Sequence, residues 1–480
     1  SSSFSDNDET TKTTTQPSSS SLDSVTTVMF SGGTTGRPTP IEITQRMLCF
    51  QAHGYAKLLE KHLGKDILIR KQATTATTDN NAQQQNKHGP WTSTHVFINF
   101  VLLDIMCGGT AVLQPMGLSC PDQTVCTTTL RSLFEHFQTH ITSAPPALWR
   151  RMIQEANTYT IDKKPKPLLP QLKMAFVGGA ETPVNFARAV ATQVMANAAD
   201  KKDDHSCVFY RVYGATQVLP VTMASATDIL REEEEQCRPC ASGCGVYFGA
   251  AVEGLTVTID KEAWETQGGS TQLQVPVPVQ NSGKGKGNND ATTTTTMTVD
   301  VGELCVYGKA LSPTMEMVST DNNDASSCSL PTRIFRTGDT CYVHPMTGSI
   351  YFLGRMAQAV DCGKKLKRVP PVAVEMLCLE TQAIDRCAFV GVKRGKGGTT
   401  DGDLPVIVFQ NEDEKDIEKD VKPQLRQAIQ HSVWLDLLNN GISIACYRKP
   451  WPVDVRHSSK INRNLLRDWA SQRRSKLMQL

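Results

Sequence analysis

Tyr213-Gly-Ala-Thr-Gln-Val-Leu-Pro220 is the stretch on which the reading of this chain turns. It follows Val208-Phe-Tyr-Arg-Val212, a short apolar run that reads as a strand, with a turn at Gly214. An aromatic ring followed by Gly and a hydroxyl can cap a base and touch a phosphate. Taken alone, a strand-ending turn with a half-buried tyrosine is the plainer reading. Working outward, Lys173-Met-Ala-Phe-Val177 is a buried strand ending in Gly178-Gly179. Pro183 marks a helix start, with the helix over Asn185 to Ala196. Leu255 to Ile259, Glu303 to Tyr307 and Ser349 to Leu353 read as further strands, the last running into Gly354. Strands alternating with helices argue for α/β layers. From Met356 the pattern restarts, with strands at Ala388–Val392 and Pro405–Phe409, a helix from Pro423 to Leu438 and a basic tail helix from Asn462. That reads as a separate α+β domain of about 125 residues.

The 480 residues suggest one large domain plus a smaller one, or three domain-sized units. Apolar residues make up 39%, enough for a sizeable core, and a net charge of +2 argues against nucleic acid held by bulk electrostatics. The 15 cysteines are an odd number spread along the chain, and residues 1–20 do not read as a secretory signal. The thiols are therefore expected to be mostly free, in an intracellular, cytoplasmic setting. Val96 to Leu113 is the longest apolar stretch, but it carries Asn99, Asp104 and Gly108-Gly109. A buried helix followed by a strand fits it better than a membrane span. Segments 1–24, 72–90, 267–298 and 319–329 are of low complexity and read as a disordered tail and surface insertions.

Three more stretches carry chemistry. Phe30-Ser-Gly-Gly-Thr-Thr-Gly-Arg-Pro38 offers backbone N–H groups and hydroxyls to phosphate oxygens. No Gly-Lys-Ser/Thr closes it, so it is not the loop of P-loop NTPases. Arg336-Thr-Gly-Asp339 and Gly348-Ser-Ile-Tyr-Phe-Leu-Gly-Arg355 would form a hairpin that brings Asp339 beside Arg355. The carboxylate could accept ribose hydroxyls and the guanidinium could bind phosphate; a surface ion pair is the plainer reading. Pro452-Val-Asp-Val-Arg-His-Ser-Ser-Lys460-Ile-Asn-Arg463 places a lone lysine in a polar loop. Weaker signals carry less. Cys237-x2-Cys240-x3-Cys244 resembles half of a zinc site with no second half near it. Glu232 to Glu235 reads as a solvated helix face, and Arg473, Arg474 and Lys476 as a solvated end.

In order, the phosphate loop, the Tyr-Gly-x-Thr turn, the Thr-Gly-Asp, the Gly-Arg and the late lysine form one series. That series resembles the adenylate-forming superfamily of acyl-CoA synthetases, luciferases and peptide-synthetase adenylation domains, from about Val28 to Trp469. Tyr213 to Pro220 and Pro452 to Lys460 further resemble the β-lactone synthetases of bacterial olefin biosynthesis, with YGATEALP and PVDVRHNAK. Gln358, where most synthetases carry Asp, fits that group too.

The resemblance implies a large AMP-binding domain over 25–355, with its N-terminal part missing, and a small lid domain over 356–480. The hinge would lie near Met356–Gln358. It implies ATP and Mg²⁺ as cofactors, and an acyl-adenylate made from a fatty or 3-hydroxy fatty acid with release of pyrophosphate. The acyl group would then close to a β-lactone or pass to CoA. Ser31, Thr34, Thr35 and Gly36 would hold the outer phosphates. Gly179, Ala180, Tyr213 and Gly214 would meet the adenine, and Asp339 and Arg355 the ribose. Thr216 would touch the α-phosphate, and Lys460 would bridge carboxylate and phosphate. Gln217 stands where relatives carry a Mg²⁺-binding Glu, and Thr39 where they carry a Lys. Both changes weaken the case for MgATP, so a catalytically impaired nucleotide- or acyl-binding relative is the competing expectation.

Overall fold

The computed structural model describes residues 22–30, 38–64, 91–113, 127–158, 167–195, 208–235, 241–277, 295–318, 332–394, 402–411, 416–453 and 460–480. Three sheets organise them. The first runs in the order Thr110–Leu113, Thr92–His95, Ile141–Ala144, Met174–Val177, Val208–Ala215, Val218–Ser225. Neighbours are parallel up to Val208–Ala215, and the last strand returns antiparallel. Central parallel strands are covered on both faces, which is why Met174–Val177 is buried at every position.

The second sheet is antiparallel, in the order Thr256–Asp260, Gly302–Gly308, Thr332–Val343, Ile350–Arg355, Val246–Gly249. The third holds Arg386–Val392, Leu404–Gln410, Ser443–Cys446 and Met478–Gln479. The helix Pro371–Glu380 starts with proline in its first turn, where no N–H is needed, and is buried from Pro371 to Leu379. It packs on both Ile350–Arg355 and Arg386–Val392 and so wedges the second sheet against the third. Gly354 makes this approach possible: its φ is +146°, and a Cβ there would lie 2.7 Å from Pro371 Cδ.

Each expected strand forms, and the Val96–Leu113 stretch is a helix, Ile98–Cys107, followed by the strand Thr110–Leu113. Among the described residues no helix is long and apolar enough to cross a membrane. Five expectations need correction. The strand from Val208 runs on through Gly214 to Ala215 and turns at Thr216–Gln217. The helix expected over Pro423–Leu438 is broken: Lys422–Gln430 is separate from Asp436–Asn439. The Val433 amide donates to Ser242 (3.1 Å) and the Trp434 indole to Gly243 (2.7 Å), and this docking outcompetes helix continuation. The helix over Asn185–Ala196 is α only to Ala189, then a π turn to Val194. Leu168 and Leu169 donate to the carbonyls of Gln193 and Val194, which pulls that end out of α register. Within 267–298, Gln272–Val277 pairs with Thr295–Asp300, burying Val275 and Val299. Residues 1–21, 72–90 and 319–329 lie outside the described residues.

The acidic run also departs from expectation. It ends the helix Ala226–Glu235, but Glu232 is buried and accepts the Tyr351 hydroxyl instead of facing solvent. Asp104, in the helix expected to be buried, is fully buried. It accepts from Tyr55 Oη (2.7 Å), Trp91 Nε1 (2.9 Å) and His95 Nε2 (2.6 Å), while His95 Nδ1 meets Ser143 Oγ (2.9 Å). Burial opposes its charge, but the hydrogen bonds, led by His95, outweigh this and hold the carboxyl below its ordinary value. Asp104→Ala would strand several buried donors at once. Urea denaturation should show a loss of about 3 kcal/mol; a loss under about 1 kcal/mol would mean the network does not support the fold.

Candidate functional site

The hairpin Val208–Ala215 to Val218–Ser225 is the centre of the site. Strand alternation sends Val212 and Tyr213 to opposite faces. The Tyr213 ring stacks on Phe248 (centroids 4.7 Å, 25°), and Phe248 stacks on Phe352 (5.2 Å, 13°). The Tyr213 hydroxyl donates to Asp339 Oδ2 at 2.6 Å. Asp339 lies opposite Arg355 in register, and Arg355 Nε is 3.0 Å from Oδ1. The expected approach of these two residues is therefore realised by the strands Thr332–Val343 and Ile350–Arg355. Arg355 also donates to the Thr337 carbonyl (3.0 Å), and the Asp339 amide donates to Thr337 Oγ1 (3.1 Å). Asp339 is 3% exposed. Burial pushes its carboxyl up to about 6, against the pull of Arg355 and Tyr213. Burial, with Asp339 alongside, likewise raises the Tyr213 phenol well above 10.

Gly179 and Ala180 open the turn after Met174–Val177, where Gly179 adopts φ +88°. Two side chains fix the rest of that turn. Buried Arg211 donates to the carbonyls of Thr182 and Tyr247, both at 2.8 Å. Glu380 Oε1 accepts the Val184 amide at 2.6 Å. The Glu181 carboxylate, in the same turn, acts electrostatically on Asp339, Arg355, Glu375 and Arg463.

Lys460 is half-buried, beside Ile461, which bridges to Val453. Asn462 caps the helix Arg463–Gln472 by accepting the Leu465 amide. Arg463 then forks onto buried Glu375 (Nε to Oε1 3.0 Å, Nη2 to Oε2 2.5 Å) and reaches Gln358 Oε1 (2.9 Å). Gln358 ends the short 3-10 turn that starts directly after Arg355. The segment carrying Lys460 is thus tied to the turn that follows Arg355.

Ser31, Thr34, Thr35 and Gly36 lie outside the described residues. Their flanks are informative: Val25–Phe30 pairs antiparallel with Pro40–Thr44, Phe30 opposite Pro40. Ser312 joins those flanks to the hairpin tip, its Oγ donating to the Glu42 carbonyl (2.8 Å) and its amide to the Gln217 carbonyl (3.0 Å). Thr216 and Gln217 form the tip itself and are half-buried. Arg211, Glu181, Glu375 and Glu380 escaped the sequence reading, since no local pattern marks them. Arg463 had a signal, its place within the quoted lysine motif. Cys237 and Cys240 lie outside the described residues, and Cys244 is buried.

On the Val212 side of the hairpin lies a cavity of about 500 Å³. Its walls include Phe50, Leu58, Phe100, Phe176, Val212 and Leu219. A polar constellation and an apolar hollow therefore share one hairpin.

Residues 1–253 match the AMP-binding enzyme family. Olefin beta-lactone synthetase of Stenotrophomonas maltophilia (strain K279a) is 23% identical over 385 residues, a match covering 78% of this chain and 59% of that protein. The chain thus spans about three fifths of that relative's length. Among solved structures, an amide bond synthetase from Marinactinospora thermotolerans superposes with a TM-score of 0.56 at 15% identity, over 92% of this chain and 68% of that one. The o-succinylbenzoate CoA synthetase of Bacillus subtilis, in complex with its acyl-adenylate intermediate, gives 0.55 at 14%, over 93% and 70%. Identities this low speak for the fold, a large N-terminal domain followed by a small C-terminal one. With more than half of its length matched by the family model and the fold in agreement, this chain belongs to the AMP-binding enzyme family.

Proposed function

We propose that this chain activates a carboxylic acid with ATP, forming an acyl-adenylate and releasing pyrophosphate. One observation carries the reading: the same strand turns Tyr213 toward Asp339 and Arg355 and turns Val212 toward an apolar cavity. A nucleotide and an apolar acid could meet at its tip. A carboxylate oxygen would attack the α-phosphorus, the bond to the bridging oxygen would break, and pyrophosphate would carry away the electron pair.

The roles follow from chemistry and place. Tyr213 has one ring face on Phe248 and would offer the other to adenine, beside Gly179, Ala180 and Gly214. Asp339, already ionised near neutral pH, would accept ribose hydroxyls, with Arg355 holding its second oxygen. Thr216 would donate to the α-phosphate from the hairpin tip. Ser31, Thr34, Thr35 and Gly36 would hold the outer phosphates. Lys460 would neutralise the crowded anionic transition state, where positioning and charge stabilisation do most of the catalysis. Mg²⁺ would rest mainly on phosphate oxygens and water and would screen their charge, with Gln217 as a neutral oxygen donor. Residues 25–355 would form the AMP-binding domain and 356–480 the lid.

The apolar cavity favours a fatty or 3-hydroxy fatty acid. The likeness to an olefin beta-lactone synthetase favours the second. There the substrate's own hydroxyl oxygen would attack the acyl carbon, lose its proton to solvent, close a β-lactone and expel AMP. Transfer to CoA would use the same intermediate with the thiol as attacker. A non-catalytic binding role is the second reading, favoured by Gln217 and Thr39.

Three outcomes are expected. Lys460→Ala should lower acid-dependent release of AMP and pyrophosphate about 100-fold or more; unchanged release would remove Lys460 from the chemistry. The Asp339 carboxyl, raised to about 6, must be ionised to accept two hydroxyls. The KM for ATP should therefore rise as pH falls through about 6, approaching tenfold per unit, and Asp339→Asn should flatten that profile. A wild-type profile flat from pH 5 to 8 would contradict the assignment. Gln217→Glu should raise Mg²⁺-dependent turnover, read as pyrophosphate release against Mg²⁺ concentration. No change would count against impairment at this position.

A further inference from the structure

We propose that Gly54 sets the bore of the apolar cavity and admits a long alkyl chain. The inference rests on the acid-activating reading above and names the selectivity determinant of that site. The helix Gln45–Leu63 lays Phe50, Gly54 and Leu58 along the cavity, each four residues from the next and so on one face. Phe50 and Leu58 bring bulk; Gly54, between them, brings none. A Cβ at Gly54 would meet no atom within 4 Å. No close contact and no left-handed backbone calls for glycine there, while glycine inside a helix is unfavourable. What it supplies is space on the cavity side.

The side chains beside and across from Gly54 cannot yield that space. Tyr55 is held by its hydrogen bond to Asp104. Phe100 is packed against Phe176 (4.7 Å) and stacked on His95 (5.4 Å). The charged lining groups are Lys57 and Glu253, which pair at 2.8 Å and, like His53, are exposed; Tyr55, the other titratable lining group, is buried with its hydroxyl on Asp104. The interior thus offers a tail apolar contact, and Val212 and Leu219 carry the same cavity to the hairpin where the carboxylate would react.

The test uses the full chain as wild type, Gly54→Ala and Gly54→Leu. Displacement of a fluorescent fatty acid by hexanoic and palmitic acids reads binding without ATP, and pyrophosphate release with the same acids reads activation. Gly54→Leu should lower the ratio of palmitic to hexanoic affinity at least tenfold, with Gly54→Ala between it and wild type. Melting temperatures should equal or exceed wild type, because both replacements are better helix formers, a Cβ meets nothing within 4 Å, and the longer leucine has the cavity to enter. An unchanged ratio in Gly54→Leu, or no binding of palmitic acid by wild type, would overturn the assignment. Palmitic acid bound by wild type, with the ratio shifted but no pyrophosphate released, would support the cavity assignment and sink the activation reading instead.

Discussion

The Asp339 carboxylate is the contact on which the site depends. It belongs to the antiparallel sheet, receives a hydroxyl from the parallel sheet and faces a guanidinium from the next strand. A buried carboxylate is tolerable only when its charge is answered; here Oδ2 accepts the Tyr213 hydroxyl, while Oδ1 has the Arg355 ion pair but no hydrogen bond. The raised proton affinity shows that desolvation outweighs those partners, so the group still gains from further donors. A pair of ribose hydroxyls would supply them. Without this carboxylate the Tyr213 ring would keep its stack on Phe248 but lose the bond that fixes its hydroxyl end.

A second charged junction fixes where the lysine segment starts. Arg463 answers Glu375 with two nitrogens and Gln358 with a third. Glu375 is buried, and Glu181 already adds negative field to both Glu375 and Arg463. A further carboxylate at position 358 would crowd like charges around one guanidinium. An amide oxygen accepts the same hydrogen bond without that cost, which gives Gln358 a physical reason in this chain. Because Gln358 follows Arg355 by three residues, the Asp339–Arg355 pair and the lysine segment share one short path.

Much of this was legible in the sequence, and the boundary of legibility is physical. Strands such as Met174–Val177 announce themselves as apolar runs, and the Asp339–Arg355 pairing follows from two strands of a hairpin. Chemistry that needs adjacent residues leaves a local pattern. Chemistry assembled across the fold leaves none: Arg463 and Glu375 are 88 positions apart, and Tyr55 and Asp104 are 49. The break after Gln430 was hidden because the groups that cause it, the carbonyls of Ser242 and Gly243, sit on another element. The alternation Leu273, Val275, Val277 was hidden by the low-complexity stretch it borders.

The distribution of positive charge narrows what the tip of the hairpin can do. Arg355 is committed to Asp339, Arg463 to Glu375, and Arg211 to backbone carbonyls. With Gln217 and Thr39 neutral, the proposed activation would draw charge compensation for a triphosphate from Lys460 and Arg37 among other groups, and from the metal that accompanies ATP. The apolar cavity on the Val212 side is lined by none of these arginines. In the proposed reaction, acid selectivity would be set on the Val212 face and nucleotide contact on the Tyr213 face of one strand, so a change on either face would alter its own term alone.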